Sequence, residues 1–161
     1  MNKSYLISSI LSLSLLTGCT TTTALNHFTN DTQSAYAIHN TKKGDLNFKN
    51  ENRAMIFATY LNNINKKYET EKLNSFVIGL HLANQDNHEL EKNGYKVLLN
   101  GNEAMSITTL DTDSKLVQSI PLKNNWANYY LVHFKNNDEI KTLNITLSHS
   151  KFGQTALNFQ K

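Results

Sequence analysis

Apolar and polar residues alternate strictly from Leu143 to Ser148. In an extended strand this puts Leu143, Ile145 and Leu147 on one face and Asn144, Thr146 and Ser148 on the other. Thr155 to Gln160 repeats the pattern with Leu157 and Phe159 inward, and Phe152-Gly153 suits the connection between the two runs. Asn128 to Lys135 (NYYLVHFK) is apolar on both faces, as expected of a central strand. Phe76 to Ala83 sets Ile78, Leu80 and Leu82 against Gly79 and His81. Tyr95 to Leu99 and Glu103 to Leu110 flank Asn100-Gly101, a pair suited to the two positive-φ positions of a type I′ hairpin turn.

Leu116 to Leu122 also alternates, with Pro121 suggesting an edge or a strand end. Ser34 to His39 and Leu46 to Phe48 are shorter strand-like runs. Arg53 to Leu61 fits two periods. Phe57, Leu61, Ile64 and Tyr68 have helical spacing, while Ile56, Ala58 and Tyr60 alternate; β-branched and aromatic content, closed by Asn62-Asn63, favours a strand. About seven to nine short strands at intervals of roughly ten residues predict an all-β sandwich or barrel.

The N-terminus follows a different rule. Met1 to Tyr5 carries one charge, Lys3, and Leu6 to Leu16 is an apolar stretch diluted by serines. A membrane-spanning helix needs about twenty apolar residues, so this stretch is too short to span and reads as a secretory signal peptide. Leu16-Thr17-Gly18-Cys19 resembles the lipobox of bacterial lipoproteins at all four positions. The resemblance implies cleavage between Gly18 and Cys19, a diacylglycerol thioether on Cys19, and acylation of the new amino terminus. Each buried methylene contributes about 0.8 kcal/mol, so two or three chains hold the protein to a membrane firmly. Thr20, where an Asp would favour inner-membrane retention, points to the outer membrane, on either its periplasmic or its surface face. Thr20 to about Thr32, rich in Thr and Asn, reads as a flexible tether. The expected organisation is therefore a signal peptide at 1–18, a lipidated tether at 19–32 and one β domain at 33–161.

Asn125-Trp126-Ala127-Asn128-Tyr129-Tyr130-Leu131 resembles the passage into strand F of immunoglobulin-like domains, with Leu131 in place of the Cys. The resemblance implies an immunoglobulin-like antiparallel sandwich in which the Tyr129 hydroxyl closes a corner. Taken as a whole, the mature chain is similar to small Ig-like surface lipoproteins of Gram-negative bacteria.

Composition mainly removes alternatives. Cys19 is the only cysteine, so once lipidated it leaves no disulfide, thiolate metal ligand or thiol nucleophile. The formal charge of +3 falls to +2 when Lys3 is removed, and the basic residues are scattered among acids. A nucleic-acid binder would concentrate them on one face, so no nucleic-acid partner is expected. The abundant asparagine reads as solvated loop. The six histidines lack the i, i+2 or i, i+4 spacing of paired metal ligands. Asp111-Thr112-Asp113-Ser114 begins like a calcium loop, but Lys115 and Leu116 break it, and Leu122 stands where a bidentate Glu belongs. Asp86-Asn87-His88-Glu89 with Glu91 reads as a solvated loop between strands. No nucleophile elbow, zinc-protease helix or glycine-rich phosphate loop is present.

No cofactor, metal or catalytic residue is expected. The reading is a non-catalytic protein-binding or adhesion module, held to the membrane by acyl chains on Cys19. Trp126 and Tyr130 are the candidate partner-binding residues, as aromatics with a polar edge. The alternatives are a periplasm-facing structural accessory of an envelope complex and a hydrolase or hydrolase inhibitor.

Overall fold

The computed structural model describes residues 35–69 and 72–161. The signal segment at 1–18, the tether at 19–32 and Cys19 lie outside the described residues. A compact unit spans Thr32–Lys161.

Among the described residues nine strands form two antiparallel sheets: β1 Thr41–Phe48, β2 Glu51–Tyr60, β3 Leu73–Leu82, β4 Tyr95–Leu99, β5 Asn102–Glu103, β6 Ser106–Leu110, β7 Asn128–Lys135, β8 Thr142–His149 and β9 Gly153–Gln160. One sheet has the order β1-β2-β3-β7-β6, the other β5-β4-β8-β9. The domain is an all-β sandwich, as expected, and Arg53 to Leu61 is strand rather than helix, lying in β2 up to Tyr60.

The two inner faces meet in one core. Ile56, Phe76, Ile78, Leu80 and Val132 from the first sheet pack with Val97, Leu143, Ile145, Leu147 and Phe159 from the second. The Phe76 and Phe159 rings meet edge to face at 5.4 Å across the gap. Gly44 of β1 lets the sheets close at one side, because a Cβ there would lie 2.9 Å from a Leu157 methyl.

Hairpin chemistry sets the register. Asn100 and Gly101 both have positive φ, 48° and 81°, and join β4 to β5 as a type I′ turn requires. Lys49 and Asn50 make an equivalent turn between β1 and β2, at φ 52° and 63°.

Three runs depart from expectation. Glu103 to Leu110 is not one strand: β5 pairs with β4, while β6 pairs with β7 in the other sheet. The chain crosses between sheets at Ala104-Met105, and the Met105 N–H bonds the His133 carbonyl at 2.8 Å. Leu116 to Leu122 is not a strand. Lys115–Ser119 is helical, beginning at the N-cap Ser114, whose side chain accepts the Val117 N–H at 3.3 Å. The helix ends at Ile120, extended at φ −81°, ψ 146° because Pro121 follows. Val117 and Ile120, three apart, are the residues it buries. Finally, residues 35–39 are helical rather than extended. The Asn40 side chain donates to the Tyr36 carbonyl and that of Thr41 to the Ala37 carbonyl, closing the turn.

Two further short helices, α1 Lys66–Glu69 and α2 Lys115–Ser119, lie over the outer face of the five-stranded sheet. Tyr68 of α1 and Val117 of α2, with Ile120 beside them, pack on Leu61, Val77, Ala127 and Tyr129 in a second apolar cluster. Gly79 makes room for it, since a Cβ there would lie 2.8 Å from the Tyr129 ring.

Asparagine proves to be structural. The Asn62 amide donates to the Tyr68 and Leu73 carbonyls at 2.9 and 2.7 Å, and its oxygen accepts the Ser75 N–H at 2.8 Å. That one side chain ties down the β2–β3 connection. The buried Asn40 accepts from the Asn63 amide at 3.0 Å, and Asn100 accepts the Asn144 N–H at 2.7 Å. Unpaired backbone groups in loops need partners, and here carboxamides supply many of them.

Candidate functional site

The N-terminal end of β7 brings together the features that sequence reasoning singled out. Tyr129 and Tyr130 open the strand and project to opposite faces, the first toward the helix-covered side and the second into the core. The Tyr129 hydroxyl accepts the Asn124 N–H at 2.7 Å and donates to the Asn124 carbonyl at 3.2 Å. It closes the loop before β7, as the corner motif implies.

Tyr130, the other candidate partner-binding residue, is not at the surface. It is buried, and its hydroxyl accepts the Leu90 N–H at 3.1 Å and sits 3.4 Å from the His88 carbonyl. Its role is to pin the β3–β4 connection to the core.

Trp126 is 75% exposed. Its backbone is nevertheless held at both ends: the N–H donates to the Asn124 side chain at 2.9 Å, and the carbonyl accepts from His81 Nδ1 at 3.2 Å. With the backbone fixed, a solvated indole has only its two side-chain torsions to order on binding, which suits a contact residue.

His81, on β3, stacks obliquely on His88 with ring centroids 4.7 Å apart. His88 Nδ1 accepts the Leu82 N–H at 3.0 Å, which requires that nitrogen to be unprotonated. Burial, and then the neighbouring His81, hold the His88 pKa below the ordinary imidazole value, with Asp86 opposing them. Among the described residues no three His, Cys, Asp or Glu side chains gather closely enough to hold a metal ion. Asp111 takes part in a turn, its carbonyl accepting the Ser114 N–H at 3.0 Å.

A cleft of about 620 Å³ lies beside β6, between Ile107 and Thr109 on one wall and Glu89 and Glu91 on the other. A larger one, about 770 Å³, opens at the other end of the sandwich around Asn74, Phe134 and Lys161. Several of its polar groups are already engaged. Lys161 bonds Asn136 Oδ1 and the Asn137 carbonyl, Glu103 bonds Lys96, and Asn74 accepts the Tyr60 hydroxyl at 3.0 Å. Burial pushes that Tyr60 hydroxyl up to about 12, so it stays a donor.

One pair resembles a nucleophile and its base. Ser75 Oγ lies 2.8 Å from His133 Nδ1. Ser75 is completely buried, however, so its hydroxyl meets no substrate, and the contact ties neighbouring strands β3 and β7 together. Neither this pair nor the cleft beside β6 was foreseen, because each depends on strands that are neighbours only after folding.

In comparisons with known proteins, no family model, no curated protein and no solved structure matches the chain.

Proposed function

We propose that the chain is a lipid-anchored protein of the bacterial outer membrane whose Ig-like sandwich acts as a non-catalytic protein-binding or adhesion module. The anchor rests on Leu16-Thr17-Gly18-Cys19 at the end of a short apolar segment. Strand order supports the Ig-like part. The neighbours β2-β3-β7-β6 follow the order A-B-E-D, and β5-β4-β8-β9 follow C′-C-F-G, with β1 added beside A.

In that scheme β7 takes the place of strand E. The Asn125–Leu131 passage therefore does not lead into strand F, although its tyrosine closes a corner. Leu131, in the position of the family's Cys, packs with the helix-covered cluster rather than between the sheets.

The observation that carries the binding role is Trp126, exposed yet fixed by its backbone bonds. Aromatic anchors of this kind dominate the energetics of many interfaces. A photo-crosslinking residue placed at position 126 in living cells should give a discrete protein adduct, while the same residue at Asn158, on the wet face of β9, should not. No adduct at 126 overturns the reading. Trp126→Ala should melt like the wild type, whereas Tyr130→Ala should melt well below it, having lost its core contacts and its hydroxyl's bonds. Protease treatment of intact cells then fixes the membrane face: cleavage marks a surface adhesin, protection a periplasm-facing accessory.

A further inference from the structure

We propose that β6 is a strand-addition site for an extended peptide segment that carries basic side chains. This rests on the binding-module reading above only in taking the partner to be a protein.

A strand at the edge of a sheet leaves alternate backbone N–H and C=O groups unpaired, and folded proteins usually protect such edges with charge, brevity or a cover. Three edges here are protected. β1 carries Lys42, Lys43 and Asp45, the last two 3.6 Å apart. β9 packs beside β1, where Gly44 meets Leu157 and Thr155. β5 is two residues long, and its Glu103 pairs with Lys96 at 2.9 Å. The edge at β6 has none of these devices. Ser106–Leu110 (SITTL) contains no charge, its first four residues are exposed, and β7 is its one strand neighbour among the described residues.

The face beside this edge is open as well. Ile107 and Thr109 pair with Val132 and Tyr130 and so point to the core side of the sheet, yet both are exposed, Ile107 by 36%. The four-stranded sheet does not reach over them. The 620 Å³ cleft lies there instead, ready to take the alternate side chains of an added strand.

Charge selects the occupant. Glu89, Glu91 and Asp111 line the cleft, and only Glu89 has a basic partner among the described residues, Lys92 at 2.8 Å. Basic side chains at alternate positions of an incoming strand would meet Glu91 and Asp111. A second copy paired antiparallel, edge to edge, would set its own acids at the far end of the strand and bring no cation to Glu91 or Asp111.

The test uses the full chain and a capped peptide alternating Lys and Val over six residues, with a Glu–Val peptide as control. The Lys peptide should bind, more weakly as salt is raised, and should slow hydrogen exchange at alternate amides of Ser106–Leu110. N-methylating alternate peptide nitrogens should abolish binding. Glu91→Lys with Asp111→Lys should weaken the Lys peptide at least about tenfold and favour the Glu peptide, without lowering the melting temperature. Equal binding of the two peptides by wild type, protection mapping away from β6, or full binding of the N-methylated peptide each overturns the proposal. So does a concentration-dependent dimer protected at β6 without peptide, which makes a second copy the occupant. If the peptides fail while position 126 still crosslinks, the binding role stands and only this site falls.

Discussion

In the four-stranded sheet, β8 turns Leu143, Ile145 and Leu147 toward the core and β9 does the same with Leu157 and Phe159, while Asn144, Asn158 and Gln160 face outward. In the five-stranded sheet, β3 is buried at every residue from Asn74 to Leu80. Both sheets contribute to one core, but only the second has α1, α2 and their flanking loops laid over its outer face. A sheet wet on one side needs period-two alternation; a sheet covered on both sides needs apolar or small residues throughout. The difference explains why β8 and β9 are plain in the sequence while β2 reads as strand and helix at once.

The largest test of this contrast uses aspartate scanning on both sheets. Ile145→Asp should cost several kcal/mol, roughly 4, because a carboxylate is buried without a partner. Thr146→Asp, one residue on, should be far milder, since Thr146 is at the edge of burial and its hydroxyl already bonds Asn144 at 2.8 Å. On β3, Val77→Asp and Ile78→Asp should be equally severe, because both side chains are buried. Urea midpoints report all four. Equal losses at 145 and 146, or unequal losses at 77 and 78, would mean that the outer faces are not as different as the packing indicates.

A smaller effect sharpens the same point at the covered face. Gly79→Ala places a methyl 2.8 Å from the Tyr129 ring and should destabilise by about 1–3 kcal/mol through overpacking. Ala156→Gly on the wet side of β9 should cost only about 1 kcal/mol, the ordinary backbone penalty. Thermal melts of the two variants separate a crowded face from an open one.

The smallest expected effect concerns the β3–β4 connection, which holds His88. The pKa of His88 lies below the ordinary value of 6.5, so the unfolded chain binds the proton first. Stability should be intact above about pH 6.5 and decline as the pH falls below it, through the lowered value of the folded state. In His88→Gln, which does not titrate, the drop in urea midpoint between pH 7 and pH 5 should shrink. An unchanged drop would show that His88 is not the source of the acid sensitivity.

The wet sheet, the type I′ turn at Asn100-Gly101 and the all-β class were legible in local sequence, because each follows from side-chain alternation or from the φ preference of two residues. The corner formed by Tyr129 was legible too, although the strand it opens takes a different place in the sheet order from the one its motif implies. The amphipathic turn at Lys115–Ser119 was not, since Leu116, Ile120 and Leu122 share the alternate positions of a strand over so short a run, and only a neighbouring sheet face makes the helix, which buries Val117 with Ile120, the better burial. Tyr130 and Trp126 are chemically similar candidates in the sequence, four residues apart. One is swallowed by the core and the other is left in solvent.

The order of residues alone determined where strands begin to alternate, where the chain turns, and where a short apolar segment ending in Leu16-Thr17-Gly18-Cys19 precedes the domain. Those features need only near neighbours. Tertiary structure decided which strand would be an edge, which face would be covered and which aromatic would stay exposed, because these depend on residues distant along the chain. The open edge at β6 and the acids beside it, Glu91 and Asp111, come together only when the β3–β4 and β6–α2 connections are brought to the same end of the sandwich.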